Sequence, residues 1–218
     1  MPVRRIGFCY RSVSGRVPMG VGRPAVSVES TLERDFAILQ RFDPKVAAVE
    51  EQPVRIEYRD ASGVRRRYVP DFLVQYYGAD RPPVLVEVKF STDPALVAGG
   101  LEDRFAAARA YARQRGWAFS VMTETAIRMP KLGNATFLLP YRSRIPNPAL
   151  RARALIALGS GCATVEALAD DLAGAIGSRR DHVLPTLWTM VARFEVIADL
   201  DHPLTMRSQL HLPERGWP

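Results

Sequence analysis

This sequence has few cysteines, no long apolar run and no histidine spacing typical of a metal site. Each of these features argues against a particular class of protein. Only two cysteines, Cys9 and Cys162, occur in 218 residues, and without CxxC spacing they argue against a disulfide framework or a cysteine metal site. We interpret both as small buried hydrophobes, and a reducing compartment is the simplest setting. No run approaches the roughly 20 apolar residues that span a bilayer. The first ten residues lack the apolar segment of a signal peptide.

Acidic residues are outnumbered by basic ones, which indicates a polyanionic partner. The net charge is +7 and the isoelectric point is near 9.8, and nucleic acid is the first candidate for such a partner. Residues 1–28 hold five arginines and no acidic residue. Further clusters lie at Arg65, Arg66 and Arg67 and over residues 141–153. These clusters fit contact with phosphates, although any one of them could instead be a solvated basic face.

The chain divides into three predicted regions. Residues 1–28, rich in Arg, Gly, Pro and Ser, are interpreted as a basic arm. Residues 29–143 run as helix, three strands, helix and strand, with "ATFLLPY" as a short additional strand. This order predicts an α/β domain with a mixed sheet flanked by helices. The first helix begins at Ser30, with Glu33 placed as in a capping box.

Residues 144–218 differ in pattern from the domain before them. After a proline-rich stretch, three helical segments precede two short strands, the order of a winged helix. Ser178, Arg179 and Arg180 open the third helix, where a helix N-terminus and two arginines suit phosphate. Docking of a protein is the equal alternative. His182, His202 and His211 lack the spacing of metal ligands and are interpreted as structural or exposed.

The chemistry concentrates in "YVPDFLVQYYGADRPPVLVEVKF", residues 68–90. Asp71 starts one apolar strand, and Glu87 and Lys89 share a face of the next because side chains alternate along a strand. Two neighbouring carboxylates suit Mg²⁺, which keeps several waters, and the backbone carbonyl of Val88 could complete the ligand set. Lys89 could orient the attacking water or stabilise charge on phosphorus. The pattern therefore predicts metal-assisted hydrolysis of a phosphodiester.

A purely structural interpretation competes with this one. Glu87 and Lys89 could form a surface pair, and Asp71 could be a turn residue at a strand edge. A "PD…ExK" match fixes few residues. The apolar character of both strands and the short connection between them favour the nuclease interpretation.

The motifs "YVPDFLV" and "LVEVK" resemble the core of PD-(D/E)XK nucleases. Together with "ESTLERDFAILQRFDPKVAAVEEQPVRIEY", they resemble the N-terminal nuclease domain of TnsA, the endonuclease subunit of a heteromeric transposase, over about residues 27–141. The resemblance implies a restriction-endonuclease-like fold. It assigns Glu33, Asp71, Glu87 and Lys89 to the active site, with Glu29 as the alternative to Glu33. The best-studied family pattern has glutamine where this chain has Glu87, and Gln52 matches a family position of no assigned role.

The resemblance implies that the chain would cut the 5′ ends of a mobile element. It would use Mg²⁺, with Mn²⁺ as substitute and two ions expected, bound by Asp71, Glu87, Val88 and Glu33. Its partners would be double-stranded DNA, a DDE-type transposase subunit and an AAA+ ATPase regulator, in a bacterial cytoplasm near the nucleoid. Two alternatives stay open: a stand-alone restriction or repair nuclease, and a non-catalytic DNA-binding or scaffold protein.

Overall fold

A computed structural model describes residues 14–161 and 163–214, so Cys9, Cys162 and the first three arginines lie outside the described residues. Two compact units divide between Arg128 and Met129, and each is described by itself. The sequence placed this boundary at 143/144. Within the described ranges, no helix is long and apolar enough to cross a membrane.

The first unit is a mixed four-stranded sheet with helices on both faces. Strands β3 (Val46–Glu51), β6 (Phe72–Tyr76), β7 (Val84–Val88) and β8 (Ala118–Met122) lie in that order, with β7 and β8 parallel and the other two pairs antiparallel. The predicted α/β class with a mixed sheet is confirmed. The elements are β1 (Gly15–Val17), β2 (Val26–Val28), α1 (Thr31–Phe42), β3 (Val46–Glu51), β4 (Ile56–Arg59), β5 (Arg65–Tyr68), β6 (Phe72–Tyr76), β7 (Val84–Val88), α2 (Pro94–Val97), α3 (Glu102–Arg113), β8 (Ala118–Met122) and α4 (Glu124–Ile127).

Side chains alternate along β6 and β7, so their buried residues pack on both faces of the sheet. Phe72 and Val86 pack with the buried face of α1, which includes Phe36. Leu73 and Leu85 pack on the other face with Ala112 of α3. Because residues two apart on a strand share a face, Glu87 lies on the Leu85 side.

The predicted strands over residues 46–60 and 64–77 are each broken in two. Gln52 has a positive φ of 44° and precedes Pro53, which cannot donate to a ladder. Pro70 separates β5 from β6 for the same reason. The freed segments β4 and β5 pair with each other as a two-stranded antiparallel ribbon outside the main sheet. The predicted turn over residues 60–63 connects them.

The described part of the predicted basic arm, residues 14–28, forms a hairpin. β1 and β2 pair antiparallel from Gly15↔Val28 to Val17↔Val26. Val17, Val26 and Val28 are buried in the same core as α1. Burial of this alternating apolar set explains why the segment folds back on the domain.

The described part of the second unit contains four helices and a short three-stranded sheet. The antiparallel sheet has the order β10 (Ile197–Ala198), β11 (Gln209–His211) and β9 (Ala163–Thr164). The three predicted helices and the hairpin are present; the winged-helix assignment stays a prediction. The elements are α5 (Pro130–Leu138), a 3-10 turn (Leu139–Tyr141), α6 (Pro148–Gly159), β9 (Ala163–Thr164), α7 (Val165–Ala175), α8 (Arg180–Ala192), β10 (Ile197–Ala198) and β11 (Gln209–His211).

The predicted strand "ATFLLPY" is wrong, because these residues form the end of α5 and the 3-10 turn. Helix α5 contacts other residues of the second unit. The Phe137 ring lies 5.4 Å from the Trp188 ring of α8. The Asn134 amide donates to the Leu200 and His202 carbonyls, both at 2.8 Å. These contacts place the boundary before α5 rather than after it.

Candidate active site

Antiparallel pairing of β6 and β7 brings the two predicted strand carboxylates together. Phe72 pairs with Val86 and Leu73 with Leu85, so one further step in this register sets Asp71 opposite Glu87. The strand segments around them are buried on both faces. The sequence therefore places two acidic groups at one end of an apolar sheet, where charge is costly unless it is compensated.

Asp71 is anchored through its side chain and its backbone. Its Oδ2 accepts a hydrogen bond from the backbone N–H of Val88 at 2.7 Å. Its carbonyl accepts the N–H of Gln52 at 2.8 Å. Burial, followed by the charge of Glu87, raises the pKa of Asp71 well above its usual range, and Lys89 offsets part of this. The positive charge near Asp71 is therefore too small for its carboxyl group to ionise as readily as it would in water.

Glu87 is almost fully buried, at 2% exposure, and each of its carboxylate oxygens has a partner. Oε1 lies 3.0 Å from Nζ of Lys89. Oε2 accepts a hydrogen bond from the Tyr68 hydroxyl at 2.7 Å. These two contacts satisfy the buried carboxylate and fix its plane.

Lys89 is partly buried and stays protonated. Burial lowers its pKa, but the negative charges of Glu87 and Asp71 outweigh burial and leave the pKa raised. Its backbone N–H donates to the Met122 carbonyl of β8 at 3.1 Å. The ammonium group is therefore a fixed positive charge beside two carboxylates, as charge stabilisation in phosphoryl chemistry requires.

Glu33 forms the predicted capping box. Its Oε2 accepts the N–H of Glu29 at 2.7 Å and its Oε1 accepts the Ser30 hydroxyl at 2.9 Å. The Ser30 hydroxyl in turn accepts the N–H of Glu33 at 3.1 Å. Burial raises the pKa of Glu33, and the charge of Lys89 acts on it in the opposite direction. Glu33 therefore lies within electrostatic reach of the site while its oxygens cap α1.

The donor set fits a hydrated divalent cation better than a closed cage. Across residues 14–161 and 163–214, no three His, Cys, Asp or Glu side chains lie close enough to hold a metal ion. Glu33 thus does not join Asp71 and Glu87 in a compact three-ligand group. Two facing carboxylates, one of them short of positive charge, still match Mg²⁺, which takes one or two carboxylates and retains waters. Asp71 and Glu87 are the residues that could hold such an ion.

Two residues at the site carried no role in the sequence interpretation. Tyr68 reaches Glu87 from the end of β5, which was predicted to be one strand with β6. The Oε1 atom of Gln52 is buried without a partner among the described residues, beside a backbone N–H that holds Asp71. The "QP" and "VP" dipeptides mark both strand breaks. No sequence feature indicates which atoms the two side chains meet.

The three predicted DNA-binding arginines of β5 are exposed on the ribbon, but they are not equivalent. Arg66 pairs with Asp60 of the turn at 2.8 Å. Arg65 and Arg67 share the other face by alternation. Arg67 lies 3.4 Å from Glu57, and both side chains are about 70% exposed (72% and 69%), so this contact is weak. Arg65 lies opposite Arg59, which makes that face strongly basic.

Arg179 and Arg180 stand at the start of α8, as predicted, but acidic side chains surround them. Arg180 pairs with Glu166 at 2.8 Å and with Asp170 at 2.6 Å, both on α7. Arg179 lies 3.2 Å from Asp181. This charge pairing reduces the attraction of the helix start for phosphate. Their assignment to DNA stays a prediction.

A comparison with protein families finds a match within the first unit. Residues 43–124 match the family described as TnsA-like endonuclease N terminal. No curated protein matches the chain. The matched range contains Asp71, Glu87 and Lys89 and excludes Glu33 and the second unit. The predicted resemblance to this family is confirmed over residues 43–124.

Proposed function

We propose that the protein is a metal-dependent DNA endonuclease subunit of a TnsA-like transposition complex, cutting phosphodiesters at the 5′ ends of a mobile element. One observation carries the proposal: Asp71 and Glu87 face each other on paired strands, with the Lys89 ammonium 3.0 Å from Glu87. The family match supports a nuclease of the TnsA type. Metal use and the cutting position are part of this proposal.

The chain's own residues divide the work of hydrolysis. Asp71 and Glu87 would hold Mg²⁺, which supplies positive charge at the phosphate and lowers the pKa of an attacking water. Lys89 donates hydrogen bonds to the water or to the phosphate oxygens that gain charge. Val88 fixes Asp71 through its N–H. The β4–β5 ribbon offers Arg65 and Arg67 to the backbone of the duplex.

A DDE-type transposase subunit and an AAA+ ATPase are the proposed protein partners, with the transposase acting on the 3′ ends. The second unit is the proposed docking element. The pairing of Arg180 with Glu166 and Asp170 favours a protein partner over DNA at the start of α8. Strand choice then comes from the assembly rather than from a base-reading motif in the nuclease domain.

The test is Mn²⁺ calorimetry and plasmid cleavage with wild type, Asp71→Asn and the control Asp201→Asn, whose side chain is 75% exposed in the second unit. We expect wild type and the control to bind Mn²⁺ and, once the transposase partner is added, to nick DNA with Mg²⁺, and Asp71→Asn to do neither while it stays folded. Cleavage by Asp71→Asn would refute the site. Cleavage of any plain duplex without partners would favour the stand-alone nuclease.

A further inference from the structure

Tyr68 is a buried residue at the junction of the ribbon and the sheet. It is the last residue of β5 and is 5% exposed. Its hydroxyl donates a 2.7 Å hydrogen bond to Oε2 of Glu87, which belongs to β7 of the main sheet. The bond therefore connects the basic ribbon directly to the carboxylate pair.

The position of the hydroxyl is set by packing around the ring. Tyr68 pairs in register with Ile56 of β4. Both pack against Ala108 of α3 in one buried cluster. The Arg104 guanidinium lies 5.7 Å from the ring centroid. A ring held by two strands and a helix presents its hydroxyl in one place, which is what a preorganised hydrogen bond needs.

The two partners of Glu87 differ in how rigidly they hold its carboxylate. Lys89 holds Oε1 through a flexible four-carbon chain, and its side chain is 27% exposed. Tyr68 holds Oε2 through a buried ring with few rotatable bonds. Without the Tyr68 hydroxyl, the Glu87 carboxylate could turn about its last side-chain torsion, which is broad for glutamate. The orientation of the carboxylate opposite Asp71 therefore depends on Tyr68.

We propose that Tyr68 is a positioning residue for the nuclease: its hydrogen bond fixes the Glu87 carboxylate in the orientation that serves the divalent cation and Lys89. This inference rests on the proposed function and deepens it. Hydrogen-bond partners of metal-ligating carboxylates typically change metal affinity or activity by about 10- to 100-fold when removed. A structural role alone would affect only folding.

The experiment compares Tyr68→Phe with Tyr58→Phe in the full chain. Tyr58 lies on the same ribbon, and its half-buried ring packs on the same cluster. The Tyr58→Phe substitution likewise removes a single hydroxyl group. Three quantities are measured at a temperature where both variants are folded: Mn²⁺ affinity by calorimetry, the single-turnover cleavage rate, and the DNA concentration at half-saturation. We expect Tyr68→Phe to lose about tenfold or more in Mn²⁺ affinity and in rate at unchanged half-saturation. Tyr58→Phe should match wild type in all three.

The outcomes separate this inference from the proposed function. Wild-type rate and Mn²⁺ affinity in Tyr68→Phe would overturn the inference and leave the nuclease intact. A lower unfolding temperature with unchanged Mn²⁺ affinity would also overturn it, because the hydroxyl would then be structural. Equal losses in Tyr58→Phe would trace the effect to the ribbon packing and refute a role for the Glu87 bond. Absence of Mn²⁺ binding and cleavage in wild type would refute the proposed function together with this inference.

Discussion

The Nζ atom of Lys89 lies 3.0 Å from Oε1 of Glu87, a carboxylate that is 2% exposed. Strand alternation puts both side chains on one face, with Lys89 directly after the end of β7. The pair compensates a charge that the apolar strand could not otherwise bury, and it leaves a positive group at the mouth of the site.

Replacing Lys89 by methionine should reduce cleavage by about a hundredfold or more, because one charged donor is lost at the developing charge. Stability should fall by about 2 kcal/mol, since Glu87 loses a buried partner. Rates on plasmid DNA and urea unfolding measure the two effects. The control is Lys131→Met, a 52% exposed lysine of the second unit. Normal cleavage by Lys89→Met would contradict the assignment.

Asp71→Asn should stabilise the metal-free protein near neutral pH. Burial raises the pKa of Asp71 in the folded state, so between its usual range and that raised pKa the folded protein keeps a proton that the unfolded chain releases. Stability from this group is therefore lost as pH rises. Asparagine does not titrate, so the variant does not lose stability in this way as pH rises. Its side-chain oxygen can still accept a hydrogen bond from the backbone N–H of Val88.

We expect a gain of about 1 kcal/mol in EDTA near pH 7, and this gain should shrink as the pH falls towards about 4, where the aspartate of the unfolded chain also begins to be protonated. Urea unfolding from pH 4 to 8 measures it. Lys89 stays charged throughout this window, because its pKa is raised. Mn²⁺ should stabilise wild type but not the variant. Identical pH slopes for the two proteins would show that Asp71 is not strained in the fold.

The double change of Arg65 and Arg67 to glutamine should weaken duplex binding and flatten its salt dependence by about two units of slope. These side chains share the outer face of the ribbon. Arg66→Gln is the matched control within the same strand, and it should change the slope less because Asp60 already pairs with Arg66. Titrations at several salt concentrations give the slopes. An unchanged slope in the double variant would mean that this face lies away from DNA.

Arg180→Gln should leave duplex affinity unchanged within about twofold, because Glu166 and Asp170 already compensate its charge. The second unit should instead become less stable, since Arg180 joins α8 to α7. Binding titrations and thermal unfolding distinguish the two effects. A large loss of DNA affinity with unchanged stability would favour a recognition role for the start of α8.

Gln52→Gly should be more stable than Gln52→Ala by about 1 kcal/mol, because Gln52 has a φ of 44°, a region that costs other residues more than glycine. Both variants keep the backbone N–H that donates to Asp71. Chemical unfolding of the pair measures the difference. Greater stability of the alanine variant would show that the chain relaxes this conformation without cost.

Local patterns along the sequence determined much of the fold. Apolar spacing and the Ser30–Glu33 capping box specified α1, and the order of helices and strands indicated a mixed sheet. Strand alternation put Glu87 and Lys89 on one face. The "PD" and "ExK" motifs indicated the nuclease family. These features depend on residues close in sequence, where helix and strand periods leave few alternatives.

The tertiary structure decided what distant residues do to one another. Only packing shows that residues 14–28 fold onto the core, that β4 and β5 leave the main sheet, and that α5 belongs to the second unit. The Tyr68 hydroxyl on Glu87 and the acidic partners of Arg180 likewise join segments that no local pattern connects. The free energy of such contacts depends on burial and geometry across the chain, which periodicity and composition do not specify.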